Sequence, residues 1–372
     1  MDTPLTRRGF VGLAAATTGG LGLGFGRALG ASPEAGLPAR AEEAGRLIER
    51  QVRAGTVAAA ALLVRRGAFE FARGYGKATV DTAFLIASPT KPIAVSAVTW
   101  LAERKQLQLS DPVRKYLPEF TGSDRRAVTI KHLITHTSGL PDMLPENVQL
   151  RRRHAPLGEF VARSCTTPLL FRPGEKVGYQ SMGILLAATI VERISGQTMP
   201  AFLAQHIFGP LRMTRSSLGL GGRRIADLAQ CQVPETERSD WDWNSPYWRN
   251  LGAPWGGAHS TVHDLATFAE AFVRPDPAPW SPAMRKEMLE VQTGPHRPSY
   301  GLGWVRQPGA FGKHCSPATF GHFGSTGTVF WHDPASGTTC VLLTTRPAAE
   351  SKASLLVPVS EIVTRDERAR TP

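Results

Sequence analysis

The chain has little of what stapled or metal-held folds are built from. Only four of its 372 residues are cysteine, at positions 165, 231, 315 and 340. They lie far apart with no C-x-x-C or C-x-x-H spacing, which excludes a disulfide scaffold and a cysteine zinc site and leaves structural thiols as the expectation. No serine has glycine two residues away on both sides, so the sharp G-x-S-x-G nucleophile turn is absent. There is no internal repeat. Past residue 30 there is no low-complexity tract and no apolar run long enough for a membrane span. Charge of one sign is moderate: 43 Lys plus Arg stand against 31 Asp plus Glu, and 42% of residues are hydrophobic. That balance excludes a disordered chain and supplies a sizeable core. The length suits two domains, or one large α/β unit with an insertion.

The net charge of +12 raises the question of a nucleic-acid surface. The only dense basic run is Arg151, Arg152, Arg153 and His154, with no stacking aromatics interleaved. It reads as a solvated face, and no nucleic-acid partner is expected. A basic surface still draws anionic small molecules or an acidic envelope, more weakly as salt rises.

Residues 1–30 read as an export signal. Arg7 and Arg8 form a twin-arginine pair followed by Gly9, Phe10 and Val11; a Gly- and Ala-rich apolar stretch runs to Phe25, and Ala28 and Gly30 offer a cleavage site. Five glycines between positions 19 and 26 make a poor helix interior. The precursor is therefore expected to meet the twin-arginine export machinery and the mature protein to be periplasmic or secreted. No cysteine lies near the cleavage point, so no stable membrane anchor is expected.

In the remaining chain, residues 38–54 carry Ala44, Leu47, Ile48 and Val52 at helical spacing. Two apolar or alternating runs, 57–64 and 68–75, read as an antiparallel hairpin. From 88 to about 290 the periodicity is mostly helical. Strand signals return at 300–305, 319–325, 328–332 and 338–345, and 350–368 reads as a helix. Strands at both ends with helices between them predict one sheet made from the two ends of the chain, with a cleft at the seam.

One constellation carries chemistry. Ser88, Pro89, Thr90 and Lys91 form an S-x-x-K at the start of a helix. Pro89 suits the first helical position and Ser88 the cap, and residues three apart share a face. A lysine at a helix N-terminus, desolvated, loses basicity and can take the serine proton, while backbone N–H groups face the developing oxyanion. A hydroxyl needs such a base to attack a carbonyl near neutral pH. The motif alone is also what a plain helix cap looks like; its context raises it.

That context is a series of segments in order: 84–91, LQLSDPVRKYLPEF (107–120), TIKHLITHTSGL (129–140), FRPGEKVGYQSMGILLAATIVERISG (171–196), IFGPLRMTRS (207–216), GGAHSTVHDLATF (256–268), YGLGW (300–304) and FGHFGSTGTVF (320–330). Together they resemble the serine β-lactamase-related family, which includes class C β-lactamases, D-Ala-D-Ala carboxypeptidases, D-aminopeptidases and esterases. The resemblance spans nearly the whole chain past residue 30. It implies an α/β (α+β) fold, an antiparallel sheet flanked by the N- and C-terminal helices, with residues 31–87 and 291–372 in that domain and 88–290 an inserted all-helical domain. It implies Ser88 as nucleophile, Lys91 as its activating partner and Tyr179, in Tyr179-Gln180-Ser181, as a second general base that relays the proton. It matches His322-Phe323-Gly324 to the family's third motif, with the N–H groups of Ser88 and Ser325 as the oxyanion hole. Gly324 is expected to let substrate approach the strand backbone.

Two departures matter. Ser181 stands where the family often has Asn, and His322 where β-lactamases and carboxypeptidases usually have Lys, which weakens a fixed positive charge that reads a carboxylate. Both favour an esterase-like hydrolase of small esters or amides over an efficient β-lactamase or D,D-peptidase. The three asparagines, 147, 244 and 250, give no S-D-N and so no class A pattern. The alternative is an acylated sensor or scaffold of penicillin or peptidoglycan that does not turn over. A metal hydrolase built on His132/His136 or His259/His263 is the further rival, but neither pair has the HExxH glutamate, and packing or hydrogen bonding is expected. No cofactor and no metal is implied. Trp241, Trp243, Tyr247, Trp248 and Trp255 crowd one segment and suggest either a lid over an acyl pocket or loop packing.

Overall fold

In the computed structural model, which describes residues 36–275 and 278–365, both chain ends meet in one sheet. α1 (Leu37–Arg53) has proline in its first turn and buries Leu37, Ala41, Ala44 and Ile48 as one stripe. β1 (Ala59–Arg66) and β2 (Phe69–Gly76) form the predicted hairpin, Val64 opposite Phe71. After β3 (Phe84–Leu85) come α2 (Thr90–Glu103), α3 (Ile130–Ile134), α4 (Asn147–Arg152), α5 (Leu157–Thr166), α6 (Met182–Ser195) and α7 (Met199–Leu203). β4 (Ser217–Leu218), α8 (Pro246–Leu251), β5 (Ala258–Ser260), α9 (Val262–Glu270) and α10 (Pro282–Leu289) follow. The chain returns to the sheet with β6 (Phe320–Gly324), β7 (Thr328–Asp333) and β8 (Thr338–Thr344), and closes with α11 (Ala348–Ser351) and α12 (Val357–Thr364).

The five-stranded sheet runs β2-β1-β8-β7-β6 and is antiparallel throughout. β1 pairs with β8, placing Leu62 opposite Leu342 and Val64 opposite Cys340. Alternate side chains point to opposite faces of a strand. Leu62, Val64, Trp331, Cys340 and Leu342 pack with α1 and α12, and Ala61, Leu63, Phe330, Val341 and Leu343 pack with the helical region. Because both faces are covered, β1 and β8 read as continuous apolar runs instead of alternating ones. The indole N–H of Trp331 donates to Ser360 Oγ at 2.9 Å, fixing α12 on the sheet.

Four sequence expectations change. The region between the sheet segments is not wholly helical, because β3, β5 and β4 form a small second sheet. Residues 300–305 do not form a strand: Tyr300 and Val305 make a single bridge around a tight bend. A Cβ on Gly303 would lie 2.9 Å from Val95 and one on Gly301 2.3 Å from the Met288 carbonyl, so close packing against α2 and α10 dictates the bend. The last helix is interrupted by a π turn at Lys352–Leu356, and residues 366–368 of the predicted span lie outside the described residues. The basic run is also not a uniformly solvated face. Arg151 lies 4.1 Å over the ring of Trp248, and burial lowers its pKa to about 10. All four cysteines are free and buried. Among the described residues no helix is long and apolar enough to cross a membrane.

Candidate active site

Ser88 sits in the turn that leads from β3 into α2. The helix starts later than its sequence suggests: Pro89 occupies the N-cap position, and Thr90 and Lys91 donate their N–H groups to the carbonyls of Ala87 and Ser88. The hydroxyl of Ser88 therefore does not cap the helix. Ala87, at φ 54°, takes a left-handed conformation that a side chain disfavours, and the turn presents the half-buried Ser88 side chain. One turn on, the fully buried Lys91 places Nζ 3.3 Å from Ser88 Oγ and donates to the carbonyl of Trp255 at 3.0 Å. Burial pulls the Lys91 pKa down to about 7, against the opposing pull of the Asp142 carboxylate. At neutral pH a substantial fraction of this amine is unprotonated and lies against a hydroxyl.

Tyr179 completes the group. The Lys91 ammonium lies 4.6 Å from the centre of its ring, and the nearby Ser88 hydroxyl pulls against the upward shift of its phenol. Burial first, and then the charge of Asp142, holds this phenol well above its usual range. The segment carrying Tyr179 is stitched to the 132–142 region. Gly178 N–H donates to the His136 carbonyl at 2.9 Å and Gln180 N–H to His136 Nδ1 at 3.3 Å. The buried Gln180 side chain donates to the carbonyls of His132 and Leu133 and accepts from Ser138 at 2.6 Å. Ser181, at the start of α6, donates its hydroxyl to Asp142 Oδ1 at 2.6 Å and leaves the helix end without a side-chain cap.

β6 forms the other wall. His322 is buried, with its ring 6.2 Å from that of Tyr179. Its Nδ1 lies 2.7 Å from the Phe323 carbonyl, an oxygen that only accepts, so Nδ1 carries the proton and Nε2 the lone pair. Burial and the nearby Lys91 charge lower its pKa to about 3. A Cβ on Gly324 would lie 2.2 Å from the Ile86 carbonyl and 2.9 Å from Pro89 Cδ. The close approach here is made by the protein's own strand leading to Ser88. Thr326 and Thr328 donate their hydroxyls to the carbonyls of Leu85 and Ile86, each at 2.7 Å, and tie that strand to the β6–β7 hairpin. Ser325 is exposed at the end of β6, its carbonyl accepting from Ala348 N–H.

A serine, a buried lysine of depressed basicity and a tyrosine thus meet at the seam between sheet and helices. Among known proteins, the Beta-lactamase family model matches residues 44–358. This chain belongs to the beta-lactamase family. Esterase EstB of Burkholderia gladioli is 29% identical over 337 residues, covering 77% of this chain and 86% of the relative. The penicillin-binding protein homologue of Caulobacter crescentus superposes with a TM-score of 0.71 at 21% identity, over 89% of this chain and 98% of its own. The structure described as EstCE1, a hydrolase with promiscuous acyltransferase activity, gives 0.73 at 19% identity, over 88% and 98%. The family is one of serine hydrolases with esterase members, and its fold, a five-stranded antiparallel sheet with terminal helices and a helical region, is the fold found here.

Around Ser88, Lys91 and Tyr179 the structure also gathers residues that the sequence reading had not placed with them, His136 having been weighed only as half of a metal pair with His132. His136 is fully buried at φ 61°, its ring 4.8 Å from that of Tyr179 and 4.6 Å from that of Tyr300. Burial and the charges of Lys91 and His322 hold it well below its usual pKa, and burial pushes Tyr300 up to about 12. Asp142, Gln180 and the Trp255 carbonyl were equally silent. The neighbouring histidines serve the fold: His132 Nδ1 and the Thr129 hydroxyl form a reciprocal cap on α3, His259 Nδ1 contacts the Gly219 carbonyl, and His263 pairs with Glu70. The aromatic segment divides in two. Trp248 and Trp255 are core residues, whereas Trp241 and Trp243 line a cavity of about 610 Å³ with Arg151 and Arg152.

Proposed function

We propose that this beta-lactamase-family hydrolase is an esterase-like acyl-transfer enzyme that forms a covalent intermediate on Ser88. The observation that carries the reading is the buried Lys91 amine, 3.3 Å from Ser88 Oγ with a pKa of about 7. Unprotonated Lys91 takes the Ser88 proton as Oγ attacks the carbonyl carbon of a small ester. The oxyanion forms facing the N–H groups of Ser88 and Ser325. Tyr179, a phenol held neutral, passes the proton from Lys91 to the departing alkoxide, and the ester C–O bond breaks. Water then attacks the acyl carbonyl, gives its proton back through the same pair, and releases the acid with Ser88 restored.

Esters are favoured over β-lactams and D-peptides for two reasons. Ser181 commits its hydroxyl to Asp142, and His322 is neutral, so neither supplies the amide or the cation that the resemblance associates with those substrates. The named esterase among the relatives points the same way. The test is intact-mass analysis of wild type and Ser88→Ala after exposure to a fluorophosphonate, p-nitrophenyl butanoate and a penicillin, with turnover followed in parallel. The expected result is Ser88-dependent labelling, ester turnover and slow or absent penicillin release. Stoichiometric adducts with no steady state would instead identify an acylated sensor, and unchanged adducts in Ser88→Ala would overturn the serine assignment.

We further propose export through the twin-arginine route, from residues 1–30, which lie outside the described residues. Replacing Arg7 and Arg8 by Lys is expected to leave the full-length precursor in the cytoplasm; equal amounts of mature protein outside the cytoplasm for both forms would overturn it.

A further inference from the structure

The two charged side chains beside Tyr179 differ in exposure, Lys91 being buried and Asp142 exposed. Lys91 is fully buried and occupied by Ser88 and the Trp255 carbonyl, so its charge, when present, is turned inward. Asp142 lies on the other side of the balance. One carboxylate oxygen accepts the Ser181 hydroxyl at 2.6 Å, and the backbone carbonyl of Asp142 accepts Ser181 N–H at 3.2 Å, which fixes the carboxylate two residues from Tyr179. The side chain is nevertheless exposed, which leaves acceptor capacity for a ligand. Its field reaches Lys91, Tyr179 and Tyr300, and among the described residues no arginine acts on either tyrosine.

A second, independent feature has the same polarity. The Nε2 atom of His322 is buried and has no partner, and with the proton on Nδ1 it is an acceptor. A buried acceptor without a donor is costly, so a ligand that brings one gains where a ligand bringing a second lone pair or a negative charge loses. Both acceptors flank Tyr179, one across the Ser181 bond and one across the ring contact.

We infer that Asp142 is a specificity-determining residue: with the Nε2 lone pair of His322 it selects esters whose acyl group carries an ammonium or another N–H or O–H donor, and it turns away esters bearing a carboxylate. The inference rests on the acyl-enzyme reading above and names its substrate class. No bond is made or broken by Asp142; it acts on binding and on the approach of the acyl group.

The test uses three esters of matched length with a shared p-nitrophenyl leaving group: β-alanyl (ammonium), butanoyl (neutral) and succinyl (carboxylate), at pH 7, with Ser88→Ala as the blank. In wild type kcat/KM for the β-alanyl ester is expected to exceed that for the succinyl ester by about tenfold or more, a ratio that shrinks as salt is raised. Asp142→Asn is expected to bring the two within about threefold, and Asp142→Glu to keep the wild-type order. A wild-type ratio near one, or an Asp142→Asn variant that slows all three esters equally, overturns the inference while leaving the esterase reading intact. The latter result would mean that Asp142 merely positions Ser181 and Tyr179. Absence of Ser88-dependent turnover of the butanoyl ester overturns the esterase reading and this inference with it.

Discussion

Under the proposed mechanism, Lys91 is the residue on which stability and activity oppose each other. An ammonium in a site with no exposure is disfavoured, and the fold responds by lowering its pKa to about 7. Its unfolded pKa is about 10.4, so between these values the unfolded chain binds more protons and stability rises with pH; below about 7 the full cost is present. Lys91→Met is therefore expected to raise Tm by about 2–4 °C at pH 7 in a thermal melt while reducing ester kcat/KM by about a thousandfold or more. The amine acts as a base only when unprotonated. For a neutral ester kcat/KM is expected to rise through about pH 7 and to level off above it. A pH–rate profile with no limb in that region would remove Lys91 from the proton path. The pairing of Ser88 with Lys91 was legible because three-residue spacing at a helix start brings two side chains together regardless of what lies beyond. Asp142 and His136 were not, because an aspartate in a loop and a histidine after a short helix look the same whether or not a distant segment bonds to them.

At the scale of elements, the site depends on β6 lying hard against the strand that enters α2. Gly324 admits that approach, and Thr326 and Thr328 fix it by bonding to consecutive carbonyls. Gly324→Ala is expected to cost about 1–3 kcal/mol in chemical denaturation, because the added methyl meets the Ile86 carbonyl and a strand cannot move as a flexible side chain does. Thr328→Val keeps the shape and loses one bond to a buried carbonyl, for about 1–2 kcal/mol, and should lower ester kcat/KM by loosening Ser88. The glycine was visible in the sequence, but its reason was not. Sequence reasoning looked to the approach of a substrate, and the structure adds a reason of its own: a Cβ here would meet the Ile86 carbonyl. The same holds for Gly301 and Gly303, where an apparent strand is a bend pressed against two helices.

For the molecule as a whole, the sheet is a partition between two cores, and its far face exists only because the first and last helices cover it. α1 and α12, together with the π turn that precedes α12, pack on each other and on the sheet through Ile48, Leu355, Leu356, Val359 and Val363. Burying each such side chain is worth about 1.5–3 kcal/mol, and a domain's net stability is only about 5–15 kcal/mol. Deleting residues 353–372 removes four of these side chains and is expected to give insoluble or protease-sensitive protein; a soluble variant with an unchanged melting temperature would refute this account of the second core. The predicted sheet of two chain ends holds because apolar runs at 57–64 and 338–345 have no other way to be covered on both faces. The region between them is mostly helical, as its periodicity predicts, and the strands of two or three residues inside it are too short to leave a periodic signal.

The sequence by itself determined what is local: the amphipathic stripe of α1, the hairpin, the apolar strands, and a serine and lysine on one face of a helix start. These follow from backbone periodicity and neighbour spacing, which operate within a few residues. Tertiary structure decided the rest: that Lys91 is dry and bonded to a carbonyl 164 residues away, that Ser181 turns to an aspartate 39 residues back, and that Gly324 makes room for Ile86. Solvent exclusion and close packing create those properties, and both arise only once distant segments have met.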